Sequence, residues 1–207
     1  MSVFFDLDGT LLDARQRLYS LFIELVPTAQ LSFDEYWEHK RRQFSHEEML
    51  RDMYDYDAAQ ITLFQDTWMQ QIEQPEWLAL DTLYGGVEGL LARLSASSTI
   101  YLVTARQSEE KVLIQLRQLG ILTYFTDVLV TRQERQKSEL VKSRKIGFSE
   151  KDWLIGDTGK DILAGKELGM KTAAVLSGFR NREALLKYEP DIIVERVHDM
   201  EAVWMSP

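Results

Sequence analysis

The feature that most constrains the fold is a series of short apolar runs, each followed by a polar residue that begins a loop. The runs cover residues 2–5, 99–103, 127–130, 153–155, 172–176 and, more weakly, 191–194. Such runs predict buried strands. Helical patterns lie between them, over residues 87–94, 109–119 and 162–168, and Gly120 and Gly169 are placed as helix stops. Strands that alternate with helices predict an α/β fold with a parallel sheet covered on both faces.

Residues 14–81 interrupt this alternation, because they show helical periodicity and no convincing strand. Three residue pairs have the spacing of a capping box that starts a helix: Ser32 with Glu35, Ser45 with Glu48, and Asp57 with Gln60. Pro75 is expected to close the last helix. The pattern predicts an all-helical domain of about four helices at 14–81, inserted into a core domain formed by residues 1–13 and 82–207.

The charge and the cysteine content exclude several classes of function. The 33 acidic and 24 basic residues give a net charge of -9, which repels nucleic-acid backbones and anionic membranes, so neither is an expected partner. The absence of cysteine excludes thiol nucleophiles and thiolate zinc sites. The first residues have no basic leader and reach a charge at Asp6, which is unlike a signal peptide or a membrane span. We therefore expect a cytoplasmic protein.

Two carboxylates, Asp6 and Asp8, follow the first predicted strand. Ligands of parallel α/β sheets bind at the carboxyl ends of the strands, which is where this pair lies. Two close carboxylates repel each other unless a cation or a proton lies between them, so the pair suits metal binding or acid-base chemistry. Pairs with this spacing are also common in solvated turns, and the pair alone does not distinguish the two interpretations.

The residues around this pair and three later motifs together resemble the haloacid dehalogenase superfamily of hydrolases. The first motif of that family, D-x-D-G-T-[LV], stands at residues 6–11, and the second, an apolar strand that ends in Thr or Ser, ends at Thr104. The third is a lysine before or within a helix, and the fourth, G-D-x-x-x-D, stands at residues 156–161. The resemblance covers nearly the whole chain. It implies a Rossmann-like core with a mobile cap, here an inserted helical cap like that of the phosphoglycolate-phosphatase-like and phosphomutase-like branch.

The resemblance also implies roles for four carboxylates. Asp6 is expected to attack phosphorus and become an aspartyl-phosphate, and Asp8 to act as general acid and then as general base. Magnesium is expected to be held by Asp6, by the backbone carbonyl of Asp8 and by Asp157, with Asp161 supporting the waters of the metal or the lysine. Four carboxylates would repel a phosphate dianion, and Mg²⁺, a lysine and a protonated Asp8 are expected to lower that repulsion.

The expected contacts to the phosphoryl group come from the second motif and the residues around it. Thr104 is expected to donate a hydroxyl hydrogen bond, assisted by backbone N–H groups near Gly9 and Ala105. Arg106 either contacts the substrate or faces solvent. The basic run at residues 39–42 is either a solvated helix face or, through Arg41, a group of cations that attracts the phosphate ester to the core site.

Three lysines are candidates for the third motif. Lys137 stands just before a predicted helix, as the family lysine usually does, whereas Lys142 and Lys145 lie further along it, where solvated side chains are usual. The frequent Lys-Pro of the family is absent here. We favour Lys137, with Lys142 as the alternative.

The sequence therefore predicts a Mg²⁺-dependent phosphatase that acts on a small phosphorylated metabolite. A phosphomutase is the alternative within the same superfamily, because it uses the same residues and returns the phosphoryl group to a sugar. A different alternative is a catalytically idle domain that binds a phosphometabolite or a protein partner. The retention of every catalytic position argues against that last alternative. Neither the substrate nor the oligomeric state follows from the sequence.

Overall fold

The computed structural model of the protein describes residues 1–205, and its centre is a six-stranded parallel sheet. The strands are β1 (Ser2–Phe5), β2 (Leu12–Asp13), β3 (Thr82–Leu83), β4 (Thr99–Thr104), β5 (Asp127–Val130), β6 (Trp153–Gly156), β7 (Lys171–Val175) and β8 (Ile192–Val194). The order across the main sheet is β5-β4-β1-β6-β7-β8. The six predicted strands and the predicted α/β fold are thus confirmed.

Strand β1 lies in the middle of the sheet and is buried on both faces. Phe5 pairs in register with Leu102 of β4 on one side and with Ile155 of β6 on the other. Val3 and Phe5 pack into one apolar cluster and Phe4 into a second, as alternating side chains of a strand must. Complete burial of such side chains contributes about 1.5–3 kcal/mol each, which fixes the position of the residues that follow β1.

Helices cover both faces of the sheet and form the insertion. They are α1 (Arg15–Leu25), α2 (Phe33–Arg41), α3 (His46–Tyr54), α4 (Ala58–Gln71), α5 (Pro75–Leu78), α6 (Val87–Ser95), α7 (Glu109–Gln118), α8 (Lys137–Ser143), α9 (Gly159–Glu167), α10 (Arg182–Leu186) and α11 (Met200–Met205). Gly120 and Gly169 follow α7 and α9 with φ of 74° and 67°, the left-handed conformation in which glycine commonly ends a helix. Within residues 1–205, no helix combines the length and the apolar character that a membrane crossing requires.

Residues 14–81, all of which the structure describes, contain the helices α1 to α5 and no strand. The three predicted capping boxes are formed at the starts of α2, α3 and α4. The expectation for Pro75 was wrong. Helix α4 ends at Gln71 with Ile72 as its C-cap, and Pro75 begins the additional helix α5, because a first-turn proline lacks only an N–H that has no helical partner anyway.

The chain enters and leaves this helical insertion through a two-stranded linker, formed by β2 and β3. Leu12 pairs with Leu83 and Asp13 with Thr82 in antiparallel register. The sequence did not predict this linker, because two residues are too few to show an alternating pattern. Both connections to the insertion therefore pass side by side, close to the end of β1.

Candidate active site

The predicted catalytic residues meet at the carboxyl edge of three adjacent strands. Asp6 directly follows β1, Thr104 ends β4, and Asp157 directly follows β6. All three are buried, and the Asp6 N–H donates to the carbonyl of Ile155 at 2.8 Å. From β1 the chain adds β4 and β5 on one side and then crosses back to add β6, β7 and β8 on the other. Such a point of reversal is where α/β proteins bind their ligands.

Lys137 is the lysine that the structure places beside Asp6. It is the first residue of α8, and its Nζ lies 2.5 Å from Asp6 Oδ1 and 2.5 Å from Asp161 Oδ1. Burial alone would lower the pKa of this ammonium group, but the two carboxylates hold the pKa above its usual range. Lys142 is exposed on the same helix, so of the two candidate lysines the structure brings Lys137 to Asp6.

The Asp157 carboxylate is completely buried, and one of its two oxygens accepts a hydrogen bond within residues 1–205. Its Oδ2 accepts a hydrogen bond from the Phe179 N–H at 2.6 Å, whereas its Oδ1 has no hydrogen-bond partner among residues 1–205. Gly9 and Gly178 lie against it so closely that a Cβ atom would come within 2.3 Å and 2.1 Å of Oδ2, respectively. Gly9 also has a φ of 82°, so glycine is needed there for both space and conformation.

The carboxylates of Asp6, Asp157 and Asp161 fit a hard divalent cation. Each offers an oxygen within 4.8 Å of the others. Burial, followed by the charges of its neighbours, raises the pKa of Asp157 well above its usual range, and burial raises the pKa of Asp6 to about 7 despite Lys137. Such crowding is relieved by a cation, and an all-oxygen ligand set suits Mg²⁺.

The two oxygens of Asp161 are already engaged, which separates its role from that of Asp157. Oδ1 accepts from Lys137, and Oδ2 accepts from the N–H and the hydroxyl of Thr158 at the start of α9. Of the two supporting roles expected for Asp161, the structure contains the contact with the lysine. Asp157, by contrast, keeps a buried Oδ1 without a hydrogen-bond partner among residues 1–205, which leaves it free to bind a cation.

Asp8 is held by two arginines. Arg106 donates through Nε at 2.5 Å and through Nη2 at 2.6 Å, and Arg17 donates through Nη2 at 2.6 Å. Burial would raise the pKa of Asp8, but Arg106 and then Arg17 outweigh it and lower the pKa to about 2. The expectation of a protonated Asp8 is therefore wrong for this arrangement, because two guanidinium groups stabilise its charge.

A buried ionic network continues from Asp8 into the helical insertion. Asp81 accepts from Arg17 Nε at 2.9 Å, from Arg106 Nη2 at 3.1 Å and from Gln115 Nε2 at 2.9 Å. Arg106 Nη1 is buried and has no hydrogen-bond partner among residues 1–205. Sequence reasoning missed Arg17 and Asp81. The one available signal was an arginine one turn before Leu21 on the apolar face of α1.

The comparison with known families decides the identity at the family level. The sequence model described as haloacid dehalogenase-like hydrolase matches residues 3–175. The chain belongs to this family. The membership predicted from the four motifs is thereby confirmed.

Individual relatives of this haloacid dehalogenase-like hydrolase match over almost their whole length. The pyrophosphatase PpaX of Bacillus pumilus is 27% identical, with 98% of this chain and 95% of the relative covered. The phosphoglycolate phosphatase of Synechococcus elongatus is 26% identical, with 96% and 94% covered. A haloacid dehalogenase-like hydrolase structure from Streptococcus pneumoniae superposes with a TM-score of 0.79 at 22% identity, with 99% and 98% covered. That last similarity supports the fold.

The active pocket of this hydrolase has a volume of about 240 Å³ and lies between the sheet edge and the helical insertion. Its lining includes the predicted residues Asp6, Asp8, Thr104, Ala105, Arg106, Lys137, Asp157 and Asp161. Leu18, Trp68 and Ile72 contribute its apolar side from the insertion. Arg41 does not line this pocket but a different cavity, because it ends α2 on the side of the linker. The structure therefore does not place Arg41 where it could contact a substrate in the active pocket, contrary to the expectation.

Proposed function

We propose that this hydrolase is a Mg²⁺-dependent phosphatase in which Asp6 accepts the phosphoryl group. The observation that carries the proposal is the pairing of Asp6 with Lys137, directly beside the unpaired Oδ1 of Asp157. A nucleophile needs a cation on one side to align it and a second positive charge to receive the phosphate dianion. Membership of a hydrolase family and the similarity to a pyrophosphatase and a phosphoglycolate phosphatase support the same chemistry.

The reaction divides into two displacements at phosphorus. An Asp6 oxygen attacks, the bond to the leaving-group oxygen breaks, and Asp8 gives that oxygen a proton. Water then attacks the aspartyl-phosphate, gives a proton to Asp8, and releases Asp6 and inorganic phosphate. Thr104 and Lys137 hold the phosphoryl oxygens throughout. Asp6, Asp157 and the backbone carbonyl of Asp8 would hold Mg²⁺, which supplies positive charge to the phosphoryl oxygens.

The substrate class follows from Arg106. Its Nη1 is buried in the wall of the active pocket and has no hydrogen-bond partner in the described part of the chain, and a buried, unpaired donor on a charged group is costly. An acidic group of the substrate next to the transferred phosphoryl would satisfy it. Such a group would also draw Arg106 away from Asp8, which frees Asp8 to carry a proton. Pyrophosphate and phosphoglycolate, named for the two relatives, both carry a second acidic group.

The variant Asp6→Asn tests the proposal. With Mg²⁺ and an aryl phosphate, we expect the wild type to release inorganic phosphate and the variant to lose roughly 10³-fold or more of that rate, because an amide is a poor nucleophile. Asp66→Asn, on an exposed part of α4, is the matched control and should retain the rate. Equal activity in Asp6→Asn would exclude Asp6 as the nucleophile. Phosphoryl transfer to a sugar without phosphate release would indicate a phosphomutase instead.

A further inference from the structure

A second cavity, the hinge cavity, lies beside the two-stranded linker and has a volume of about 340 Å³. Its charged lining residues are Asp13, Arg15, Arg41 and Arg196. None of the residues that line it also lines the active pocket. The volume lies within the range of small-molecule sites, about 300–1,000 Å³.

Three separate parts of the chain contribute charged residues to the lining of the hinge cavity. Asp13 and Arg15 stand where the chain enters the helical insertion, Arg41 ends α2 within the insertion, and Arg196 follows β8 of the main sheet. The Arg41 carbonyl accepts from the Asn181 N–H at 3.2 Å, so the end of α2 rests on a loop of the sheet. A ligand in this cavity would therefore contact the insertion, the linker and the sheet at once.

The hinge cavity carries an excess of positive charge. Three arginines line it against one carboxylate. That carboxylate, Asp13, is bound by Arg15 Nε at 2.9 Å and Nη2 at 2.7 Å, so it compensates Arg15. Within residues 1–205, Arg41 and Arg196 have no carboxylate at ion-pair distance. Two guanidinium groups that lie beyond ion-pair distance of any carboxylate in residues 1–205 thus share one concave site, in a chain whose net charge is -9.

The acidic residues next to these two arginines are engaged elsewhere. Glu38, on the same helix as Arg41, pairs with Arg42 at 2.6 Å. Glu195, the neighbour of Arg196, pairs with Arg182 at 3.2 Å. The positive charge in the cavity therefore remains available to a ligand from outside the chain.

We propose that the hinge cavity binds a small phosphate-bearing anion between Arg41 and Arg196. The planar guanidinium group presents paired donors that match phosphate oxygens. The anion ties the insertion to the sheet, because one arginine belongs to each. This site is independent of the phosphatase reaction proposed for the active pocket.

The hinge cavity is also connected to the active site through a short segment. Ser177 lines the cavity, where its carbonyl accepts from Tyr84 Oη at 2.7 Å and its Oγ donates to the Gly9 carbonyl at 3.1 Å. Two residues later, the Phe179 N–H holds Asp157. An anion in the cavity therefore contacts the same segment that positions Asp157, so its binding is expected to alter turnover without competing with substrate.

Titration calorimetry with inorganic phosphate tests the site. The measurement uses the whole protein in the presence of EDTA, so that neither Mg²⁺ nor turnover contributes. We expect one phosphate to bind the wild type, and Arg196→Gln and Arg41→Gln each to weaken it at least tenfold. Arg117→Gln removes the same charge from an exposed position on α7 that does not line the cavity, and this variant should bind phosphate as the wild type does.

The active pocket is the competing location for phosphate, and Arg106→Gln separates the two. Binding that survives in Arg106→Gln and is lost in Arg196→Gln supports the hinge cavity. Binding that is lost in Arg106→Gln and unchanged in Arg196→Gln overturns the proposal, as does a wild type that binds no phosphate. A melting curve of each variant establishes that it is folded. Because no catalysis is measured, failure here leaves the phosphatase proposal to its own test.

Discussion

Gly178 shows how closely the backbone surrounds a single carboxylate of the site. A Cβ at this position would lie 2.1 Å from Asp157 Oδ2, well inside the contact distance of any two atoms. We predict that Gly178→Ala displaces Asp157 and weakens Mg²⁺ binding at least tenfold. The free energy of unfolding without Mg²⁺ should decrease by less than the free energy of Mg²⁺ binding does. The rise in melting temperature as Mg²⁺ is added measures this affinity.

The control for Gly178→Ala is Gly147→Ala. Apart from its chain neighbours, no residue of 1–205 has an atom within 4 Å of a Cβ at Gly147, and the φ of Gly147 is not positive. The Mg²⁺-dependent melting shift of Gly147→Ala should therefore match that of the wild type. If Gly178→Ala kept the full shift, Asp157 would not be a metal ligand or would tolerate the displacement.

Arg106 carries the second prediction at this scale, which concerns substrate choice. Replacing it by Gln removes hydrogen bonds to an acidic group, each worth about 1.5–3 kcal/mol when charged. For pyrophosphate or phosphoglycolate, kcat/KM should fall roughly 10- to 100-fold further than for an aryl phosphate that lacks the second acidic group. The ratio between the two substrates is the measurement, since it cancels any general loss caused by the change next to Asp8.

Arg132→Gln is the matched control for Arg106→Gln. Arg132 is exposed, pairs with Glu109 at 3.0 Å and does not line the active pocket. The variant should leave the ratio of the two kcat/KM values unchanged. An equal fall for both substrates in Arg106→Gln would show that Arg106 positions Asp8 without contacting the substrate.

Sequence motifs predicted the residues at strand ends but not the ionic network around them. Asp6, Thr104 and Asp157 could be placed because each directly follows or ends an apolar run. Arg17 and Asp81 are 64 positions apart and meet only through the packing of α1 against the end of the insertion. No local pattern contains that distance. The position of Arg41 likewise depends on how the helices of the insertion pack. The sequence shows that Arg41 carries a positive charge, but it does not show that α2 ends on the side of the linker.

Helix α3 contains a half-buried histidine, His46, that is expected to make the stability of the insertion depend on pH. His46 packs among aromatic rings, and its Nε2 lies 2.7 Å from Tyr36 Oη. Burial, assisted by Lys40, lowers the pKa of His46 well below the ordinary 6.5. On unfolding, the side chain recovers that ordinary pKa and takes up a proton that the folded state excludes.

The free energy of unfolding should therefore decrease as the pH falls below 6.5 toward the lowered pKa. The slope is up to about 1.4 kcal/mol per pH unit for one proton. Urea unfolding at pH 7.5, 6.5 and 5.5 measures it. His46→Phe should lose this part of the slope. Tyr36→Phe removes the partner but keeps the titrating ring, so it should retain the slope; a His46→Phe variant as pH-sensitive as the wild type would contradict the assignment.

The helices themselves were largely predictable because their start signals are local. Each capping box spans four residues, and all three of those predicted in the insertion are formed. The two-residue strands β2 and β3 form only because the chain returns to the same place after the insertion. The paired residues, such as Leu12 and Leu83, are far apart in the sequence. A pattern within a short stretch of sequence therefore could not predict the pairing.

At the scale of the whole molecule, the helical insertion is closed over the sheet by contacts on both sides of the active pocket. On one side, Trp37 stacks on Phe179 with ring centroids 5.4 Å apart, and Arg180 Nη1 donates to the Lys40 carbonyl. On the other, buried Glu73 accepts from the N–H groups of two residues at the start of α7. These contacts hold the insertion over the carboxylates at the sheet edge, and we expect some of them to break when substrate enters.

Glu73 is the best position at which to test that closure. Its carboxylate accepts from Gln107 N–H at 2.7 Å and from Ser108 N–H at 3.1 Å, and charge-assisted hydrogen bonds contribute about 1.5–3 kcal/mol each. Glu73→Ala removes both, so we predict a larger radius of gyration in solution scattering and a KM that rises severalfold. Saturating Mg²⁺ and a phosphate analogue should restore the compact form, because ligand contacts replace the lost ones.

Glu76→Ala separates closure from a general effect of charge. Glu76 is an exposed residue in the first turn of α5, and the hydrogen bonds to Gln107 and Ser108 come from Glu73. The scattering curve and KM of Glu76→Ala should therefore equal those of the wild type. If Glu73→Ala stays compact without ligand but loses activity, Glu73 does not hold the insertion closed. Its role would then be to position Gln107 and the neighbouring Arg106. The two readouts together therefore distinguish a contact that holds the insertion from one that shapes the pocket wall.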